Sequence, residues 1–75
     1  MTNLNITITN PYAPNISESF YYPNMDILDL AEIDYCVQEA MGIFLDEHGD
    51  IWHTLDVPFD KIAESCEYII EEVNN

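Results

Sequence analysis

Leu4-Asn5-Ile6-Thr7-Ile8-Thr9 alternates apolar and polar side chains with a period of two. In an extended chain that period puts Leu4, Ile6 and Ile8 on one face, the pattern of a half-buried β-strand. Working outward, Asn10-Pro11-Tyr12-Ala13-Pro14-Asn15 reads as a turn or loop, because each proline fixes φ and removes a backbone donor. Residues 16–22 read as a second strand. Ser17, Ser19 and Tyr21 share one face, and Ile16, Glu18, Phe20 and Tyr22 share the other. The two strands are expected to form a hairpin.

Pro23-Asn24 closes that hairpin and leads into a helix. Asp26, with Asp29 three residues on, approximates a capping box, and acidic groups suit the positive end of a helix dipole. Ile27, Leu30, Ile33 or Asp34, Val37, Ala40 and Met41 follow the helical period, and Gly42 is the expected stop. Ile43-Phe44-Leu45 and Ile51-Trp52-His53-Thr54-Leu55 are β-prone and flank Asp46-Glu47-His48-Gly49-Asp50, which predicts a second hairpin. The competing reading carries the helix through Leu45 and ends it at Gly49. Asp56-Val57-Pro58 then opens a final helix to about residue 73, whose core stripe is Phe59, Ile62, Cys66, Ile69 or Ile70, and Val73.

The predicted order is ββαββα, an α+β domain over residues 1–75 with an antiparallel sheet of two hairpins and helices on one face. A shift of 33 residues sets residues 33–40 over 66–73, with acid, tyrosine, an apolar pair and acid recurring in order. Two amphipathic helices produce such echoes by coincidence, so a duplication is the less favoured explanation.

A chain of 75 residues is one domain near the lower limit for a self-sufficient core, and dimerisation would enlarge that core. Disorder is the first alternative for so acidic a chain, but 48% hydrophobic residues and well-spaced aromatics argue for folding. The N-terminus lacks a basic and then apolar signal pattern, and no apolar run approaches the roughly 18 residues that span a bilayer. A cytoplasmic setting is therefore expected. In it the sequons Asn5-Ile6-Thr7 and Asn15-Ile16-Ser17 are accidental, and Cys36 and Cys66 are small buried thiols rather than a disulfide.

Charge is the most telling property. Fifteen carboxylates stand against one lysine and no arginine, a formal net charge of −14, and Glu18 is the only acid before Asp26. Like charges at helical i,i+4 spacing cost roughly 0.2–0.5 kcal/mol each, so several such pairs take a noticeable share of the about 5–15 kcal/mol that holds a domain together. Solubility needs a net charge of magnitude only about 2–8 in a small domain. The excess points to a strongly basic partner. Direct nucleic-acid binding is excluded, because phosphate contacts need lysine or arginine, and anionic lipid would repel the chain.

On the predicted final helix Asp60, Glu64, Glu67 and Glu71 fall at i, i+4, i+7 and i+11, a single acidic stripe. Asp26, Asp29, Glu32 and Glu39 give the first helix a second row. An ordinary solvated helix face would mix Glu with Lys, and basic residues are nearly missing here. Asp46, Glu47, His48, Asp50 and His53 crowd one turn, yet with Gly49 at the sixth position of a calcium loop Phe44 would occupy the first, so that pattern fails. His48 and His53 alone do not make a zinc site. No metal or other cofactor is expected. Nor is catalysis: no G-x-S-x-G, H-E-x-x-H or phosphate-cradling glycine loop is present.

In size and charge the chain resembles the small acidic inhibitors that phages and mobile elements make against host defence, the anti-restriction and anti-CRISPR proteins of the DNA-mimic kind. The resemblance covers the whole chain and its acidic rows and rests on no motif. It implies a non-enzymatic inhibitor whose carboxylates, led by Asp60, Glu64, Glu67 and Glu71, occupy the basic nucleic-acid groove of a host nuclease or CRISPR effector. The rival expectation is an interaction module, such as an antitoxin or an assembly subunit, that binds through apolar and tyrosine surface.

Overall fold

The strand Thr2–Thr9 (β1) forms the spine of the computed structural model, which describes residues 1–73. Leu4, Ile6 and Ile8 are essentially inaccessible to solvent, as their alternation requires. A hairpin returns through Ser17–Met25 (β2), antiparallel to β1 and in the expected phase: Ser19 pairs with Thr7 and Tyr21 with Asn5 on the outer face. Phe20 and Tyr22 lie half-buried on the inner one. Beyond Tyr22 the register slips, with Pro23 and Asn24 together opposing Asn3, so that β2 carries a bulge. Asn24 accommodates it with φ 58, a left-handed conformation that asparagine tolerates, and its N–H donates to Asn3 Oδ1 at 3.1 Å.

The chain then forms the helix Leu30–Glu47 (α1). Asp29, not Asp26, is its N-cap: the Asp29 carboxylate accepts from the Glu32 N–H at 3.2 Å. Asp26 instead closes a tight turn, accepting from the Leu28 N–H at 3.0 Å. Gly42 does not stop the helix. Val37, Ala40 and Phe44 continue the apolar period through it and are all buried, whereas an added Cβ on Gly42 would meet nothing within 4 Å. The stripe that keeps Phe44 in the core outweighs the roughly 0.5–1 kcal/mol that a helical glycine costs.

The second hairpin is therefore absent. Residues 43–45 belong to α1, and residues 51–52 belong to a short helix, Gly49–Trp52 (α2). Burial dictates this outcome. Trp52 packs its ring 5.9 Å from Phe44 and donates Nε1–H to the Leu45 carbonyl at 2.9 Å, which a strand at 51–55 would not allow. Of the two readings of this region, the longer helix is the better one, though it ends at Glu47 and Gly49 begins the next helix rather than ending this one.

The final helix is also shorter than its period suggests. Only Phe59–Glu64 (α3) is helical, and Glu67–Val73 (β3) is a strand antiparallel to β1 in the order β2-β1-β3. Without β3 the second edge of β1 would leave backbone groups beside the core unpaired, and such groups are costly to bury. Tyr68, Ile69, Ile70 and Val73 are aromatic or β-branched and fit a pleated chain. Tertiary pairing overrides the helical spacing of Cys66, Ile69 or Ile70, and Val73. The 33-residue echo is consequently no structural repeat, since residues 33–40 are helical and 67–73 are extended.

Asn10 joins the pieces. Fully buried at the end of β1, it donates Nδ2–H to the Ile62 carbonyl at 2.8 Å and lies 3.4 Å from Cys66 Sγ, while Oδ1 accepts from the Tyr12 N–H at 3.0 Å. Both thiols are free. Among the described residues no helix is long and apolar enough to cross a membrane.

Candidate acidic interface

Every carboxylate except the half-buried Glu18 is exposed. Their distribution follows the elements. The outer face of β1 and β2 presents Asn3, Asn5, Thr7, Thr9, Ser17, Ser19 and Tyr21, with no charge. The acids other than Glu18 lie on α1 and the turn that enters it, on the segments around α2 and α3, and on β3. The outer face is thus neutral over β1 and β2 and becomes acidic only at β3, where Glu67 and Glu71 stand opposite Thr9 and Asn5.

Because α1 runs past Gly42, it carries a longer row than its predicted end allowed. Glu32, Glu39 and Asp46 recur every seven residues on its exposed side, separated by about 10 Å at 1.5 Å rise per residue. Asp46 joins this row only because the helix does not stop. Asp26 and Asp29, placed in the same row by spacing, stand before the helix, each with a carboxylate oxygen accepting a backbone N–H of the entry turn. They remain exposed, but their first task is local.

The stripe Asp60, Glu64, Glu67 and Glu71 is broken. Asp60 and Glu64 lie on α3, one turn apart, whereas Glu67 and Glu71 lie on β3. An even separation keeps Glu67 and Glu71 on one strand face, opposite Thr9 and Asn5 and about 13 Å apart. Glu72, opposite Leu4, points to the helix side of the sheet. Two short pairs on different elements replace one continuous row.

Two weak acids border the α1 row. Tyr22 sends its hydroxyl to the Cys36 carbonyl and to Glu39 Oε1, both at 3.4 Å, which ties α1 to β2. Burial first, and then the Glu39 charge, push the Tyr22 phenol above its ordinary pKa. The Cys36 thiol is raised by burial and next by Glu39 and Glu32, so it stays a thiol rather than a nucleophilic thiolate.

Glu18 marks a feature that charge counting along the chain did not single out. It comes from β2 and lies 3.5 Å from His48 Nε2, and Glu18, Glu47 and His48 bring one donor atom each within 4.8 Å of one another. One Glu18 oxygen is buried without a hydrogen bond. The Glu47 carboxyl is raised above its ordinary pKa, chiefly by hydrogen bonding to Glu18, then by desolvation and the Glu18 charge, with His48 opposing. Three donors are one fewer than a closed structural zinc site employs, and His48 already offers Glu18 a partner.

On the other side of α2 a half-open cavity of about 280 Å³ is lined by Gly49, Trp52, His53, Leu55, Val57 and Phe59. Its imidazole stands alone among apolar walls.

Comparison with known proteins adds no relative: no family model matches the chain, and neither a curated protein nor a solved structure does.

Proposed function

We propose that this protein is a non-enzymatic acidic binder that occupies the basic nucleic-acid groove of a host nuclease or CRISPR effector. The observation that carries the reading is the sorting of charge. All the carboxylates but one are exposed while the outer face of β1 and β2 stays neutral. A surface of this kind steers a lysine- and arginine-rich partner by long-range attraction and excludes nucleic acid from the same groove by competition. The leading contacts are Glu32, Glu39 and Asp46 along α1, joined by Asp60 and Glu64 on α3 and by Glu67 and Glu71 on β3. This assignment moves the emphasis from the broken stripe to the unbroken row on α1.

The test is displacement of a labelled DNA duplex from a panel of restriction nucleases and CRISPR effectors, read by fluorescence anisotropy at two salt concentrations. Displacement should weaken steeply as salt rises, because exposed charges are screened beyond about 8 Å at physiological ionic strength. Replacing Glu32, Glu39 and Asp46 together by lysine should abolish it while circular dichroism stays unchanged. Displacement indifferent to both salt and charge reversal would rule out the decoy.

One observation favours a second reading. Leu28 and Leu30 are 86% and 74% exposed where α1 begins, and Ile27 and Tyr35 beside them are also exposed. Apolar groups interleaved with Asp26, Asp29 and Glu32 suit an interaction module, such as an antitoxin or an assembly subunit, whose partner buries the apolar side chains and leaves acid at the rim. Binding that persists at high salt but is lost in a Leu28→Ser, Leu30→Ser variant would select it.

A further inference from the structure

We propose that the outer edge of β3 is a strand-addition site for an extended segment of a partner protein in which lysine or arginine alternates with apolar residues. The site lies on the sheet edge, and the proposal holds whether or not the acidic surface acts as a nucleic-acid decoy.

The sheet order β2-β1-β3 leaves β3 with β1 on one side and, among the described residues, no strand on the other. Proteins usually blunt such an edge with proline, a bulge, lysine or a covering element, since its free N–H and C=O groups are a template for another chain. β2, the other edge, has Pro23 and a bulge. β3 has neither. Its pairing with β1 is continuous from Asn3–Val73 to Thr9–Glu67, and Glu-Tyr-Ile-Ile-Glu-Glu-Val contains no proline, glycine or lysine.

The side chains point the same way. Ile70 sits opposite the fully buried Ile6 on the helix side of the sheet, yet it is 37% exposed, and its neighbour on that face, Tyr68, is 52% exposed. The helical layer covers β1 and leaves β3 open above. On the other face Ile69 is exposed between Glu67 and Glu71. β-Branched and aromatic residues on both faces of an unprotected edge form the surface that an added strand extends.

Charge decides which strand. A second copy pairing antiparallel with β3 about a two-fold axis, centred anywhere from Tyr68 to Glu72, sets glutamates directly opposite or diagonal to glutamates in every register that keeps the pleat in phase. Opposed like charges destabilise cross-strand pairs, and each copy brings a net charge of −14 to the contact. The glutamates thus guard the edge against self-association while leaving it open to the opposite sign. A complementary segment places Lys or Arg across from Glu67 and Glu71 on the outer face and apolar residues across from Tyr68 and Ile70 on the inner face.

The experiment is an NMR titration of the isotopically labelled full chain with a synthetic peptide of alternating lysine and valine. Two controls accompany it: a peptide of equal composition with its lysines in one block, and the alternating peptide with every second amide N-methylated, in either phase. Chemical-shift changes and new hydrogen-exchange protection should centre on residues 67–73. N-methylation in the phase that faces β3 should weaken binding about tenfold or more by removing its ladder donors, and a Glu67→Gln, Glu71→Gln variant should bind more weakly. Equal binding of the block peptide, or shifts centred on α1, would show that charge alone is being read and would overturn the proposal. So would outward-facing β3 amides, those not bonded to β1, already protected in the peptide-free chain with a mass that rises with concentration, because a second copy would then hold the edge. Failure of DNA displacement beside intact peptide binding would remove only the decoy.

Discussion

The two edges of the sheet are built oppositely. β2 lies partly under α1, is tied to it by the Tyr22 hydroxyl, and carries a proline and a bulge before its last pair, Met25 with Thr2. β3 is held by its ladder to β1, exposes six of its seven residues and has no irregularity. The difference teaches that cohesion is concentrated in β1, β2 and α1, while β3 belongs to the low-stability end from which contact surfaces are drawn. The same edge that contributes least to the core offers most to a partner.

The contrast can be broken most forcefully at Phe44. Fully buried and tilted against His48 and Trp52, it should cost about 3–5 kcal/mol when replaced by alanine, whereas Ile69→Ala on the exposed edge should stay within about 0.5 kcal/mol. Urea unfolding of both variants measures the gap; equal losses would mean that β3 is as well anchored as the helix. Next in size is Asn10→Ala, which takes the acceptor from the Tyr12 N–H and leaves the Ile62 carbonyl with the Ser65 N–H alone, and should cost about 1–3 kcal/mol. Because Asn10 links the end of β1 to α3, just ahead of β3, hydrogen exchange should show β3 amides losing protection before those of β2.

How far the sequence reaches can be judged on the same contrast. The period-two alternation of Leu4, Ile6 and Ile8 and the split faces of residues 16–22 are legible because one face of each strand is buried. β3 is illegible for the complementary reason: open on both faces, it has no alternation to show, and the glutamates at 64, 67 and 71 counterfeit a helical period. Gly42 misleads because a glycine on a solvent-facing helix position looks like a stop until Phe44 is seen to be buried. In the acidic interface, the abundance of exposed carboxylate is readable from composition. The grouping of Glu18 with Glu47 and His48 is not, because a strand and a helix far apart in sequence must first pack together.

Two smaller effects sharpen the picture on the α1 side. Gly42→Ala should stabilise by about 0.5–1 kcal/mol, since its Cβ would enter open space, and the melting temperature should rise by roughly 4–8 °C per kcal/mol for a domain of this size. A fall would indicate that the helix needs the glycine to bend. Glu47→Gln should have the smallest effect and a definite sign with pH. The raised Glu47 pKa means that its stabilising, protonated contact with Glu18 is fully present below the ordinary carboxylate range and is lost as pH rises through the raised value. The glutamine keeps a donor at every pH. Its melting temperature should therefore exceed that of the parent at neutral pH, and the difference should shrink towards zero in acid; a constant difference would place the coupling elsewhere.

The pairing of Asn3 with Val73 has a consequence for how the chain is born. During synthesis the hairpin of β1 and β2 leaves the ribosome before α1, α2 and α3, so one flank of β1 stays unclaimed until β3 has followed them. Such high contact order slows the last step of folding, and the waiting flank is a place where nascent chains can capture one another. A chain stalled before residue 67 would therefore expose the flank of β1 that β3 otherwise covers.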